Sequence, residues 1–329
     1  MNYNFTEQSV TACENFCKFT GVWQKNDKDE IVSYGTVSWF EIGFTGECIK
    51  LLADIRGEVL FYVDDVQVSP MSSFGGENKC EYYFAAQNGE LTEHILKICI
   101  RSTGRIFLRA LALPKGERFF HTPDKTYIQF IGDSITHCCP GFSSATPEAL
   151  GVDYSVVAFC GMSLKDGWGW YGIPEDVKVR PGMESMYYKL EWPDETYDFT
   201  DYKFEFCRIP NALVLFLGTN DYLNSEKDRK NGNLEIFVDA YCRFVKRLLD
   251  NYPNSEIFIM KAFTDSLFRN EAIEKAYNRI CTVTDKARLI DSDKWEVEIS
   301  GDGTHPTEKG YGQITEHMVE YLRKNLLRG

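Results

Sequence analysis

Positive charge is in short supply in this 329-residue chain. Lys and Arg total 36 against 49 Asp and Glu, a formal net charge of −13. A surface of that sign repels polyanions, so neither nucleic acid nor an anionic membrane is expected as a partner. No run of about 18 apolar residues is present to span a bilayer as a helix. The eleven cysteines, an odd number, include no CxxC pair and fall mostly inside apolar segments. That spacing suits neither a disulfide framework nor a zinc site, and reduced thiols packed as small hydrophobes are expected. Histidine is scarce, and His94, His121 and His317 lie in unrelated segments, so no metal set emerges. Glycine-rich loops of the Walker or dinucleotide type are missing too, and the reading requires no cofactor. Met1-Asn2-Tyr3-Asn4-Phe5 has neither a basic nor an apolar leader region, so a cytoplasmic location is expected, or secretion if a leader has been removed.

What the chain does have is core-forming material, with 43% hydrophobic and 14% aromatic residues over a length that suits two domains. Residues 1–118 read as all-β. Thr36 to Phe44, Cys48 to Asp54, Glu58 to Val68, Glu81 to Ala86, His94 to Arg101 and Ile106 to Leu113 are short runs separated by glycine turns. Leu96, Ile98 and Ile100 alternate with Lys97, Cys99 and Arg101, the period of a half-buried strand. Strands this short and this closely spaced predict a β-sandwich of jelly-roll type. Pro114-Lys115-Gly116-Glu117-Arg118 resembles a connector.

From residue 119 to 329 the pattern alternates strand and helix. Tyr127 to Ile131, Tyr154 to Phe159, Ala212 to Leu217, Glu256 to Phe263 and Ala287 to Asp291 are strand candidates. Two of them are almost wholly apolar, as strands covered on both faces should be. Phe237, Tyr241, Phe244 and Leu248 make one helical stripe, and Ile314, Met318, Tyr321 and Leu322 another. The pattern predicts a mainly parallel α/β sheet, whose working residues collect at the carboxyl ends of the strands.

Three short segments stand at such positions: Gly132-Asp133-Ser134-Ile135-Thr136, Gly218-Thr219-Asn220-Asp221 and Asp302-Gly303-Thr304-His305. Acyl transfer needs a hydroxyl, a base for its proton, and donors for the oxyanion of the tetrahedral intermediate. Ser134 supplies the nucleophile and His305 the base. Asp302, three residues earlier on one loop, can orient the imidazole. The Ser134 N–H, the Asn220 side-chain amide and the Gly161 N–H are the expected oxyanion donors. In Gly167-Trp168-Gly169-Trp170-Tyr171, the residues Trp168, Trp170 and Tyr171 either stack on a sugar or anchor a long loop. Cys138-Cys139 is read as packing, and Asp221 and Tyr222 as structural neighbours of the site.

In order, Ser134, Gly161, Asn220 and His305 resemble the four residues after which SGNH (GDSL-type) hydrolases are called, with Asp302 completing the usual triad. The resemblance covers roughly the last 200 residues and implies a three-layer α/β/α, flavodoxin-like catalytic domain. A β-sandwich in front of it is similar to carbohydrate esterase family 2, as is the stretch from Met186-Tyr187 through Tyr197-Asp198-Phe199 to Leu217-Gly218-Thr219-Asn220-Asp221. Asn211-Ala212 and Phe159-Cys160-Gly161-Met162 depart from that family's commoner residues. The resemblance implies removal of O-acetyl groups from a poly- or oligosaccharide, with the acetylated saccharide as sole expected partner. A lipase or thioesterase with the same site, or a glycan-binding protein with a degenerate hydrolase domain, are the alternatives.

Overall fold

The computed structural model describes residues 4–34, 37–69, 73–74, 80–86, 92–102, 104–138, 140–168, 181–189, 208–224, 234–263 and 267–327. The chain divides into two units, Met1–Lys125 with Lys189–Arg208, and Thr126–Tyr188 with Ile209–Gly329.

In the first unit thirteen strands are described: β1 (Phe5–Ser9), β2 (Cys17–Thr20), β3 (Gln24–Lys25), β4 (Ile31–Tyr34), β5 (Ser38–Thr45), β6 (Cys48–Arg56), β7 (Val59–Val63), β8 (Val66–Val68), β9 (Ser73–Phe74), β10 (Cys80–Ala85), β11 (Glu93–Ile100), β12 (Arg105–Pro114) and β13 (Phe119–Phe120). They form two antiparallel sheets. One runs β3-β4-β12-β6-β10-β9 with β1 added to β12; the other runs β13-β5-β11-β7-β8 with β2 added to β5. The central orders β4-β12-β6-β10 and β5-β11-β7-β8 are those of a jelly roll. One core cluster joins them, with Ile31, Ile49, Leu51, Phe84 and Leu108 from one sheet meeting Phe40, Ile42, Phe44, Leu96 and Ile98 from the other.

Three details differ from the sequence reading. Glu58 to Val68, read as one strand, is the hairpin β7–β8, turned by Asp64 and Asp65 at φ 53° and 63°. Two adjacent residues of positive φ make the tight turn that matches strand twist. Asp64 is held there by His94 Nδ1 at 2.8 Å and by the Ile95 N–H at 3.0 Å. Four strands before residue 36 were not anticipated; β1, for instance, is polar and exposed along its edge. Finally, the boundary expected at 118/119 falls at 125/126. Pro114-Lys115-Gly116-Glu117 is a turn within the sandwich, with Gly116 at φ 100°, and it returns the chain so that β13 pairs with Phe44 and Gly43. Gly43 has to be glycine here, because a Cβ would lie 2.3 Å from the Phe120 ring.

The second unit contains a five-stranded parallel sheet of β14 (Tyr127–Gly132), β15 (Asp153–Ala158), β16 (Ala212–Phe216), β17 (Glu256–Met260) and β18 (Ala287–Ile290). Its order is β15-β14-β16-β17-β18. This is the flavodoxin-like arrangement, whose direction of winding reverses between β14 and β16 and opens a crevice at their carboxyl ends. The described helices are α1 (Ser134–His137), α2 (Phe142–Leu150), α3 (Met183–Met186), α4 (Thr219–Asn224), α5 (Glu235–Asn251), α6 (Leu267–Ile280) and α7 (Glu308–Asn325). α2 packs on α7, and α5 on α6. The stripe Phe237, Tyr241, Phe244 and Leu248 is buried along α5. On α7 Ile314, Met318 and Leu322 are buried, while Tyr321 is half-buried at the rim and donates from its hydroxyl to the Leu289 carbonyl. No described helix is long and apolar enough to cross a membrane.

Candidate active site

β14 ends at Gly132, where a Cβ would lie 2.1 Å from Thr136 Oγ1 and 2.7 Å from the Phe216 carbonyl. Only glycine lets the first turn of α1 sit so close to the ends of β14 and β16. Asp133 follows in extended conformation as the N-cap of α1, accepting the Ile135 N–H at 3.1 Å. Ser134 is therefore the first helical residue, and its N–H is one of those a helix cannot pair internally.

The base approaches on the loop before α7. His305 Nε2 stands 2.8 Å from Ser134 Oγ, and His305 Nδ1 stands 2.6 Å from Asp302 Oδ2. With the ring proton on Nδ1 facing the carboxylate, Ser134 Oγ donates to Nε2. Asp302 has a second task. Its Oδ1 accepts the Thr304 N–H at 2.8 Å, the His305 N–H at 2.9 Å and the Ser300 hydroxyl at 2.8 Å. These two backbone amides, then the imidazole and the Ser300 hydroxyl, hold the Asp302 carboxyl well below the usual carboxylate range. Behind the loop, Ser300 N–H donates to the His305 carbonyl at 2.7 Å and Thr307 N–H to the Glu298 carbonyl at 2.9 Å. The two strands of this small hairpin close over Pro306, which is buried. Asp302 and His305 side chains are 50% and 41% exposed, so solvent screens their attraction.

Asn220 lies in the first turn of α4, just past β16, after Gly218 at φ 113°. Its Nδ2 donates to the Met162 carbonyl at 3.0 Å. An amide nitrogen carries two protons, so this bond orients the group and leaves a second N–H. Gly161, at φ 75°, turns the chain directly before Met162. Asn220 and the Gly161–Met162 turn are thus brought together. Trp168 lines a small hollow with Gly218, Asp221, Tyr222, Phe237 and Arg269, and Lys165 Nζ sits 5.3 Å from its ring centre. Trp170 and Tyr171 fall outside the described residues, as does Cys139. Cys138 caps α1 at its carboxyl end, and among the described residues no three His, Cys, Asp or Glu gather as metal ligands.

Sequence reasoning passed over three charged groups beneath the site. Asp221, set aside there as a structural neighbour, is buried and accepts the Leu164 N–H at 2.7 Å and the Lys165 N–H at 3.0 Å. Burial pushes its carboxyl up to about 7 against those two bonds. Burial likewise raises Asp133, opposed by the neighbouring Thr219 hydroxyl, the Ile135 N–H, and the charges of Arg269 and His305. Arg269, buried on α6, is pushed down to about 10, with Asp133, Tyr222 and Asp221 acting the other way. The Asp that follows Asn220 was a usable signal for the first. Nothing in the sequence around Arg269 points to the site.

No protein-family model matches the chain. It is 30% identical over 164 residues, 46% of its length, to the cellulase/esterase CelE of Acetivibrio thermocellus, spanning 18% of that longer protein. Over 255 residues it is 20% identical to an acetylxylan esterase/glucomannan deacetylase of Cellvibrio japonicus, covering 70% of this chain and 67% of that one. A solved family two carbohydrate esterase from Cellvibrio japonicus superposes with a TM-score of 0.71 at 16% identity, covering 98% of both chains. The fold is that of the family 2 carbohydrate esterases. In the unit with the parallel sheet, the Ser134–His305–Asp302 chain sits at the sheet end where the winding direction reverses.

Proposed function

We propose that this chain is a serine esterase that removes O-acetyl groups from a poly- or oligosaccharide. The observation that carries the reading is the continuous relay from Ser134 Oγ through His305 to Asp302, with spacings of 2.8 and 2.6 Å. Such spacings suit proton transfer without rearrangement. The names of its relatives, an acetylxylan esterase/glucomannan deacetylase and a cellulase/esterase, support the acetylated saccharide as substrate.

In this mechanism Ser134 Oγ attacks the acetyl carbonyl as its proton passes to His305 Nε2. The resulting imidazolium is stabilised by Asp302. The carbonyl oxygen takes the negative charge and is met by the Ser134 N–H, the Gly161 N–H and the second N–H of Asn220. Collapse breaks the bond to the sugar oxygen, which leaves with the proton from His305, and Ser134 keeps the acetyl group. Water then attacks, giving its proton to His305. Acetate departs as that proton returns to Ser134. Trp168, in the hollow beside Gly218 and Tyr222, is a candidate saccharide contact.

The reading is tested by acetate release from acetylated xylan and glucomannan, set beside p-nitrophenyl acetate and octanoate. Release from the saccharides and acetate preferred over octanoate are expected. A preference for octanoate, with no acetate freed from any saccharide, would make the chain a lipase-type enzyme instead.

A further inference from the structure

Three short segments of the second unit converge below Ser134, and one side chain touches the pivot between them. The turn after β15 carries Gly161 and Met162, and the Met162 carbonyl fixes the Asn220 amide. Two residues further on, Leu164 and Lys165 direct their N–H groups at the two oxygens of Asp221. Asn220 and Asp221 are neighbours on α4, so the turn and the helix grip each other twice, once in each direction of donation. The far side of the same loop is tied to the α3 segment: Met183 N–H donates to the Ser163 carbonyl at 2.8 Å and Glu184 N–H to the Leu164 carbonyl at 3.0 Å.

We propose that Asp221 is a positioning residue for the oxyanion hole: its carboxylate clamps the Leu164–Lys165 turn, which sets the Met162 carbonyl that aims the Asn220 amide, and loss of its charge slackens the site. The proposal rests on the function proposed above. A carboxylate accepts an N–H at each oxygen, whereas a protonated carboxyl keeps one good acceptor and turns the other oxygen into a donor facing an N–H. One of the two clamps must then break or bend. The groups around Asp221 are Asp133 at the end of β14, Tyr241 on α5, Arg269 on α6, and Tyr222 beside it on α4. Two buried carboxylates thus lie within the electrostatic reach of one buried guanidinium. Lys165 directs its ammonium to the Asp166 carbonyl at 2.7 Å. Burial raises the Asp221 carboxyl to about 7, so the clamp opens and closes across the neutral range.

The sense of the effect follows. Above neutrality the carboxylate holds both amides and the hole is formed; below it the proton releases one amide and turnover falls. Any histidine base also loses activity in acid, so the deciding readout is the clamp itself. The full chain labelled with [15N]leucine, [15N]lysine and carboxyl-[13C]aspartate is titrated by NMR from mildly acid to mildly alkaline buffer. The Leu164 and Lys165 amide signals and the Asp221 carboxyl are expected to move together with a midpoint near neutrality. Asp221→Asn, the standing mimic of the protonated form, is expected to lose on the order of 10–100-fold in kcat with little change in KM, as a donor misplaced by an ångström does. Its amides should also lose their pH response.

Amide signals that stay flat while the Asp221 carboxyl titrates would overturn the proposal. So would an Asp221→Asn enzyme with the parent's kcat at neutral pH. If that variant does not fold, the titration of the parent protein still decides. A chain inert toward every ester would remove the function reading and leave the clamp to be judged by the amide signals alone.

Discussion

Replacing Asn220 by alanine separates an oxyanion donor from a structural link. One N–H of its Nδ2 is engaged by the Met162 carbonyl at 3.0 Å. The other remains for a charge that develops only as the ester carbonyl becomes tetrahedral. Removing one such donor costs about 2.7–4 kcal/mol of barrier. At about 1.4 kcal/mol per factor of ten, kcat is expected to fall about 10²–10³-fold. KM should hardly move, because the ground-state ester gains little from that donor. The same truncation leaves the Met162 carbonyl without its partner, which costs about 1–3 kcal/mol of folding stability in a buried setting. Initial rates on p-nitrophenyl acetate and a denaturant melt measure the two effects separately. A variant that melts earlier yet keeps kcat within about threefold, well short of a lost donor, would refute the role and leave Asn220 as a structural link.

Further expectations concern the remaining polar groups. Asp302→Asn keeps an oxygen for the Ser300, Thr304 and His305 donors but loses the carboxylate opposite Nδ1. Its kcat should drop by up to about 10⁴-fold with the loop intact. Asp302→Ala should in addition raise hydrogen exchange across residues 300–305, and equal exchange in the two variants would mean that Oδ1 does not pin the loop. Gly161→Ala should impair both folding and turnover, since φ 75° is strained for alanine; an unchanged melt would argue against that turn. The Asp221 carboxyl titrates higher in the folded chain, at about 7, than in the unfolded one. Its contribution to stability therefore falls as pH rises from the usual carboxylate range towards about 7. Asp221→Asn removes that dependence, so the melting temperature of the variant relative to the parent should climb over the same interval. A constant difference would show that Asp221 does not titrate there.

Much of this was legible in the sequence because two periodicities and three motifs are local. Val156-Val157-Ala158 and Leu213-Val214-Leu215 declare strands covered on both faces, and the observed strands lie within a residue or two of those runs. Ser134, His305 and Asp302 fall within two residues of Gly132, Pro306 and Gly303, residues that mark turns along the chain. What escaped the reading was set by distant partners. The β7–β8 turn depends on His94 and Ile95 holding Asp64, the first of two adjacent aspartates at positive φ. β13 fell on the α/β side of the expected boundary because its register is imposed by Phe44 and Gly43 across the sheet. α2, which carries Pro147 in its interior, is sustained by packing on α7 and gave no helical signal. Asp221 and Arg269 acquire meaning only when α4, α6 and the β15 loop meet, and no spacing along the chain encodes that meeting.

The most direct measurement is to mix the enzyme with excess p-nitrophenyl acetate, quench in acid within the first turnovers, and find the acetyl group by peptide mass spectrometry. An acetyl group on Ser134, absent from Ser134→Ala and strongly reduced in His305→Ala, which lacks the base that forms it, is the predicted result. Rapid hydrolysis with Ser134 never acetylated, or activity that survives its removal, would contradict the account.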